Sequence, residues 1–244
     1  MRGLEGKAII ITGGASGIGK ATAGRFLEEG ARIVILDRDQ TAMDAMRAAV
    51  PGIAGFVAVN VADPDDVARA FAEVDGLVGQ PDVLINNAGI SRRHEFTEIP
   101  FSEWREVMGI NLDGVFLVAQ QAARRMTAGH GGVILNMGST NGLTGYRRHA
   151  TYSSSKAAVV ELTRCMALDL APSVRVNAVC PGFVATPLLT YGAAIADQVP
   201  MKRHAQPAEI AALFAFLASD DAAYITGQAF TVDGGELAGG LASA

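Results

Sequence analysis

Lys7-Ala-Ile-Ile-Ile-Thr12-Gly13-Gly-Ala-Ser16-Gly17-Ile18-Gly19-Lys20-Ala-Thr-Ala-Gly-Arg-Phe-Leu-Glu-Glu-Gly30 is the stretch that decides the fold. After Lys7 it opens on Ala8-Ile-Ile-Ile-Thr12, a short run rich in apolar, β-branched residues, which predicts a strand buried on both faces. The glycine-rich turn from Gly13 to Gly19 follows at once. The segment from Lys20 then reads as a helix stopped by Gly30. Strand, glycine turn and helix in this order predict a dinucleotide-binding start. Glycines let backbone N–H groups approach a pyrophosphate, and the helix N-terminus adds partial positive charge.

The next apolar run, Ala31-Arg-Ile-Val-Ile-Leu-Asp37, ends in a carboxylate eighteen residues past Gly19. That is near the spacing of an acid that bonds the ribose hydroxyls of an adenosine. A carboxylate there repels a ribose 2′-phosphate, whereas Arg38 could pair with one. Asp37 holds the strand end, and Gly14, Ala15 and Ser16 offer no basic residue, so NAD is expected over NADP.

A second constellation lies in Ser139-Thr-Asn-Gly-Leu-Thr-Gly-Tyr-Arg-Arg-His149-Ala-Thr-Tyr152-Ser-Ser-Ser-Lys156. The apolar run after it reads as helix, which puts Tyr152 and Lys156 on one face, one turn apart. A phenol near pKa 10 carries protons poorly at neutral pH. A fixed ammonium beside it favours the phenolate and is expected to lower that pKa.

Further apolar runs at 52–59, 82–85, 132–137, 174–179 and 229–232 read as strands. Helices are expected over 40–49, 65–78, 102–126, 151–170 and 207–218. This alternation predicts an α/β fold, a Rossmann-like doubly wound sheet of seven parallel strands with helices on both faces. Ligands then bind at the carboxyl ends of the strands. The 244 residues carry no linker or composition shift, so 1–244 is read as a single domain. Half of the residues are hydrophobic, ample for a buried parallel sheet. No apolar run approaches the roughly 20 residues that span a bilayer. No signal-peptide pattern precedes the first strand. Cys165 and Cys180 lie in apolar segments and are expected to be reduced, buried thiols of a cytoplasmic protein. A net charge of −5 argues against nucleic-acid binding. No metal site is expected.

Thr12-Gly13-x-x-x-Gly17-x-Gly19, Asn86-Asn-Ala-Gly89, Ser139, Tyr152-x-x-x-Lys156 and Pro181-Gly182 together resemble the short-chain dehydrogenase/reductase family, over about Gly6 to Gly235. The resemblance implies that Tyr152 is the general acid/base, that Lys156 tunes it and bonds the nicotinamide ribose, and that Ser139 holds the substrate oxygen. Asn111 matches an asparagine that supports a water-linked proton path, though a polar residue bonding helix backbone explains it as well. Asn87, Ala88 and Gly89 match the loop packed on the cofactor. Pro181, Gly182, Val184 and Thr186 match the segment around the nicotinamide. Asn60-Val61 stands where the family usually has Asp-Val near adenine. Gly138 stands where it often has Ser.

The substrate end carries two basic clusters, Arg92-Arg93-His94 and Arg147-Arg148-His149. Guanidinium groups suit a carboxylate or an array of hydroxyls. The pattern is similar to sugar-acid dehydrogenases of the family, so Arg93, Arg148 and His149 are candidate substrate residues, with a solvated or intersubunit role equally open. The 187–200 stretch occupies the family's substrate-lid region and is short and apolar, which suggests a small substrate. The expected activity is NAD-dependent interconversion of a secondary alcohol and a ketone, on a sugar acid or polyol. A 3-oxoacyl or other carbonyl reductase and a non-catalytic dinucleotide-binding regulator are the alternatives. Helices 102–126 and 151–170 carry Val115, Phe116, Val118, Val159, Leu162 and Met166, and related enzymes pair these helices, so a homotetramer is expected.

Overall fold

A computed structural model describes residues 1–189 and 193–239. Strand β1 (Ala8–Thr12) is followed by helix α1 (Gly17–Glu28), β2 (Arg32–Asp37), α2 (Gln40–Ala49), β3 (Gly55–Ala58), α3 (Pro64–Val78) and β4 (Val83–Asn86). Then come α4 (Phe101–Met108), α5 (Gly114–Ala128), β5 (Gly132–Met137), α6 (Ala150–Leu170), β6 (Val174–Pro181), α7 (Pro207–Ala218) and β7 (Ala229–Val232). The strands form one seven-stranded sheet in the order β3-β2-β1-β4-β5-β6-β7. Every pairing is parallel. The chain reverses direction across the sheet between β1 and β4, which creates the crevice where such sheets bind ligands.

Side-chain alternation builds the two layers. Ile9 and Ile11 face Phe26 of α1, Met43 of α2 and Phe214 of α7. Ala8 and Ile10 face the opposite layer, with Phe71 of α3, Val118 of α5 and Ala167 of α6. Each Ile or Phe buried this way stabilises the sheet by about 1.5–3 kcal/mol.

The sequence expectations need four adjustments. The strand read over 52–59 forms only at Gly55–Ala58. The helix read over 102–126 is two α-helices joined by a π turn at Gly109–Asp113. Periodicity alone does not resolve one inserted residue in a continuous helix. Cys165 is exposed rather than buried, and Cys180 is buried. Val115, Val118 and Val159 are spent on the core, while Phe116 stays exposed and Leu162 and Met166 are half-buried. Among the described residues, no helix is long and apolar enough to cross a membrane.

Candidate active site

A cleft of about 480 Å³ runs along the carboxyl ends of the strands. At its floor, the glycine turn folds tightly. Gly13 and Gly17 have φ of +59° and +50°. A side chain at Gly19 would place its Cβ 2.2 Å from the Gly13 carbonyl oxygen. Only hydrogen at these positions lets the turn close onto the start of α1. Ser16 stands at the N-cap with an extended backbone, and its side chain makes no capping bond. Gly13, Ser16, Gly17 and Ile18 line the cleft at this helix N-terminus, a setting suited to an anion.

Thr12 joins the two strands that flank the crevice. Its Oγ1 accepts the N–H groups of Asn87 and Ala88, both at 3.0 Å. Asn87 Nδ2 donates back to the carbonyls of Thr12 and Gly13, at 3.0 and 2.9 Å. Asn87, Ala88 and Gly89 therefore sit over the glycine turn, and all three line the cleft. Asp37 lines it at the tip of β2, where its carboxylate accepts Ala15 N–H at 3.0 Å and Asp39 N–H at 3.1 Å. Asn60 and Val61 line the same end, and Asn60 Oδ1 accepts Ala62 N–H at 3.2 Å. A second lone pair on that oxygen remains geometrically usable.

Pro181, Gly182, Val184 and Thr186 form the opposite wall. The wall is fixed from behind by Ala185 N–H donating to Ala205 O and Ala205 N–H donating to Phe183 O, both at 2.9 Å. Of the stretch expected to cover the substrate, Pro187, Leu188 and Leu189 line the cleft. Thr190, Tyr191 and Gly192 lie outside the described residues.

Ser139, Tyr152 and Lys156 meet at the centre of the cleft. Helix α6 puts the Lys156 ammonium one turn below Tyr152, 5.8 Å from its ring centroid, where it donates to Met137 O at 2.7 Å. Burial pushes the Tyr152 phenol up, and a hydrogen bond with Ser139 pulls it down. Burial pushes the Lys156 ammonium down to about 8. The expectation of a phenol depressed by its ammonium is thus not what this arrangement gives. It treated the pair as solvated, whereas desolvation dominates both groups here.

Asn111 sits in the π turn, fully buried. Its Oδ1 accepts Ile90 N–H at 2.8 Å and its Nδ2 donates to Ile90 O at 2.9 Å and to Ser155 Oγ at 3.1 Å. Ser155 Oγ donates in turn to Tyr152 O at 2.7 Å. The inserted residue therefore aims one amide at the loop after β4 and at the first turn of α6 together. Asn111 does not line the cleft; it holds two elements that do.

His149 caps this helix from inside the cleft wall and is 5 % exposed. Its ring meets Tyr152 edge-on, with centroids 6.5 Å apart. Burial holds its pKa below the ordinary imidazole value. The bond to Arg147 O opposes that shift, and the charges of Arg93 and Arg148 reinforce it. Nδ1 lies 2.8 Å from Arg147 O, a pure acceptor, so Nδ1 carries the proton and Nε2 is the acceptor in the neutral ring.

Arg93 and Arg148 stand outside the cleft lining. Arg148 is half-exposed and pairs with Glu95 at 3.2 Å. Its φ of +65° turns its side chain to Glu95 and the next residue, His149, inward. Arg92 pairs with Glu106 at 3.2 Å, and His94 with Glu103 at 2.9 Å.

Sequence reasoning passed over several residues. Asn141 lines the cleft, donates its N–H to Ser139 Oγ at 3.2 Å, and reaches Ser153 Oγ at 3.4 Å. Asn86, Asn136 and Thr163 form a buried chain across β4, β5 and α6, with bonds of 3.1 and 2.9 Å. Cys180 explains Gly138: a Cβ there would lie 2.5 Å from the thiol sulfur. Of these, Asn86 opens the Asn86-Asn-Ala-Gly89 motif and Gly138 is the noted departure from pattern, while a lone polar residue inside an apolar strand is the signal that Asn136 offered. Among the described residues no group of His, Cys, Asp or Glu is placed to hold a metal ion.

A family model described as enoyl-(acyl carrier protein) reductase matches residues 13–236. A 3-oxoacyl-[acyl-carrier-protein] reductase of Thermotoga maritima is 38% identical, over 95% of this chain and 98% of its own length. A meso-2,3-butanediol dehydrogenase of Serratia marcescens is 39% identical, over 96% of each chain. A crystal structure of a 3-ketoacyl-(acyl-carrier-protein) reductase from Brucella melitensis, complexed with NADH, superposes with a TM-score of 0.92 at 36% identity, covering 96% of this chain and 99% of that one.

Proposed function

The chain belongs to the short-chain dehydrogenase/reductase family, and on that footing we propose that it is an NAD-dependent dehydrogenase of small diols or polyols. As a member it is an oxidoreductase that interconverts alcohol and carbonyl groups with a nicotinamide dinucleotide. The glycine cradle and the cleft fit that cofactor, which supplies or removes the hydride when bound. The protein's share is the proton. Tyr152 gives one to a carbonyl oxygen, or takes one from a hydroxyl, and Ser139 holds that same oxygen. Lys156 keeps positive charge one turn below the phenol.

The observation that carries the substrate reading is the state of the charges around Tyr152. Arg92, His94 and Arg148 each face a glutamate. Apart from Lys156, the polar side chains that line the cleft around Tyr152 include Ser139, Asn141 and His149, which are hydroxyl, amide and imidazole. Such groups match a second hydroxyl better than a carboxylate, and this favours the polyol over the sugar acid. The butanediol dehydrogenase relative supports the same class. Asp37 on the cleft supports NAD, and the NADH-complexed relative is compatible with it. The 38%-identical 3-oxoacyl reductase keeps a carbonyl-reductase reading as the second candidate.

A screen of butanediols, glycerol, hexitols and aldonates with NAD⁺ and NADP⁺, together with a 3-oxoacyl thioester and NADH or NADPH, tests the reading by nicotinamide absorbance. Turnover of diols or polyols with NAD⁺ is expected. Turnover confined to aldonates, to thioesters or to the phosphorylated cofactor overturns it.

We also propose a cytoplasmic homotetramer. The two free thiols suit a reducing compartment. Phe101 and Leu168 are 74% and 82% exposed, and together with Phe116 they leave apolar surface that a partner helix would cover.

A further inference from the structure

We infer that Glu236 is a positioning residue, a buried carboxyl that braces the Ser139–Thr140 loop against Gly182 and so fixes the two walls of the cleft relative to each other. Glu236 follows the turn after β7. Asp233 accepts the N–H groups of Gly235 and Leu237, at 3.0 and 2.9 Å, and Gly234 and Gly235 have φ of +62° and +90°. Two successive left-handed residues fold the chain back, so the Glu236 side chain enters the protein and is only 3% exposed.

Inside, one carboxyl oxygen meets each wall. Oε1 lies 3.5 Å from Thr140 Oγ1, and that hydroxyl accepts the Tyr146 phenol at 3.2 Å. Among the described residues, Oε2 is buried with no hydrogen-bond partner. It lies where a side chain at Gly182 would go: a Cβ there would be 2.4 Å from it. Thr140 is the neighbour of Ser139, and Gly182 opens the segment assigned to the nicotinamide side. The end of β7 also holds that segment through Gly182 N–H to Val232 O at 3.1 Å, and Gly234 O of the turn accepts Met201 N–H at 3.2 Å.

A leucine would fill this space without desolvating a carboxyl, so packing alone does not explain the residue. Burial pushes Glu236 up to about 7, and only the Thr140 hydroxyl acts against that. The neutral acid has both a donor and an acceptor oxygen, so it can hold Thr140 with one and face the Gly182 backbone with the other.

The inference rests on reading the cleft as a nicotinamide dinucleotide site. The test therefore uses two probes, NADH and ADP-ribose, the second lacking the nicotinamide. If wild type prefers NADPH, the pair becomes NADPH and 2′-phospho-ADP-ribose. Glu236→Ala should weaken dinucleotide binding about tenfold, the factor that one lost buried hydrogen bond carries. Binding of the truncated probe should stay within about twofold, since the adenosine end is held by other loops. Glu236→Gln keeps a neutral donor and acceptor and should bind both probes like wild type. If Glu236→Ala does not fold, Glu236→Asp withdraws the carboxyl by one methylene and carries the same comparison. Equal losses for both probes, no loss for either, or a Glu236→Gln variant as weak as Glu236→Ala overturns the inference alone. A wild-type protein that binds neither dinucleotide overturns the reading of the cleft as well.

Discussion

The Lys156 ammonium lies 5.8 Å from the centre of the Tyr152 ring and is anchored there by the Met137 carbonyl. Burial drives the phenol up and the ammonium down to about 8. Both groups are therefore in their protonated forms at neutral pH. The phenol is then ready to give a proton to a carbonyl, and it must lose one before it can accept from an alcohol. Alcohol oxidation should accelerate as pH rises from 7 toward the alkaline range, and carbonyl reduction should slow. Tyr152→Phe removes the exchangeable proton and leaves the ring. Its kcat should fall by about 10²–10⁴, with the Kd for dinucleotide little changed. Near-normal turnover in a folded Tyr152→Phe protein would refute the assignment.

Cofactor choice turns on Asp37. Its carboxylate is fixed on the glycine turn by Ala15 N–H, so its charge does not swing away from an approaching phosphate. Asp37→Ser removes the charge and leaves Arg38, also on the cleft, to attract a phosphate. The ratio of kcat/KM for NAD⁺ to that for NADP⁺ should fall by at least about tenfold. Unmodified protein that binds NADPH more tightly than NADH would reverse the assignment.

Much of this was legible in the chain because it is local. The strand at Ile9–Ile11, the glycines that close the turn, and the four-residue step from Tyr152 to Lys156 are short-range patterns with one geometric solution. What escaped depends on distant partners. Glu236 is 96 residues from Thr140 and looks like any polar residue near a chain end. Gly138 reads as a departure from pattern until Cys180 is found beneath it. The basic clusters left substrate contact and a solvated or intersubunit role equally open, because Glu95, Glu103 and Glu106, which pair with Arg148, His94 and Arg92, reach them only through folding.

Association should follow from the exposed apolar side chains of α4, α5 and α6. Light scattering at micromolar concentration should give the mass of four chains. Phe101→Glu or Leu168→Glu should lower it, because a charge placed in an apolar contact is desolvated without a partner. A monomeric mass for the unmodified protein would reject the assembly.

Arg148 tests the choice between a polyol and a sugar acid. Its guanidinium is engaged by Glu95 and half-exposed, while its backbone carbonyl accepts His94 N–H at 3.1 Å. Arg148→Ala should change KM by less than about threefold on diols and carboxylate-bearing substrates alike, since an exposed ion pair contributes little. Arg148→Gly should in addition raise Tm, because the +65° φ costs a side chain about 1–2 kcal/mol that glycine does not incur. A large KM increase confined to carboxylate substrates would restore the sugar-acid reading.

Glu236 also predicts a pH dependence of stability. Its carboxyl titrates near 7 in the folded protein, against an ordinary 4.5. Between those values the unfolded chain has released the proton and the folded protein retains it. Wild-type stability therefore decreases as pH rises from about 4.5 to about 7 and levels off above, by at most about 3 kcal/mol from this group. Among the described residues, two other titratable groups lie near it, the Tyr146 phenol through Thr140 and Asp233 on the same turn. Neither supplies a positive charge that would stabilise the carboxylate. Glu236→Gln has no proton to lose, so its stability relative to wild type should increase across the same window and stay constant above it. Parallel denaturation at pH 5, 6, 7 and 8 measures this difference, and the subtraction cancels every other titrating group common to both proteins. A difference that is flat with pH would place an ordinary carboxylate at position 236.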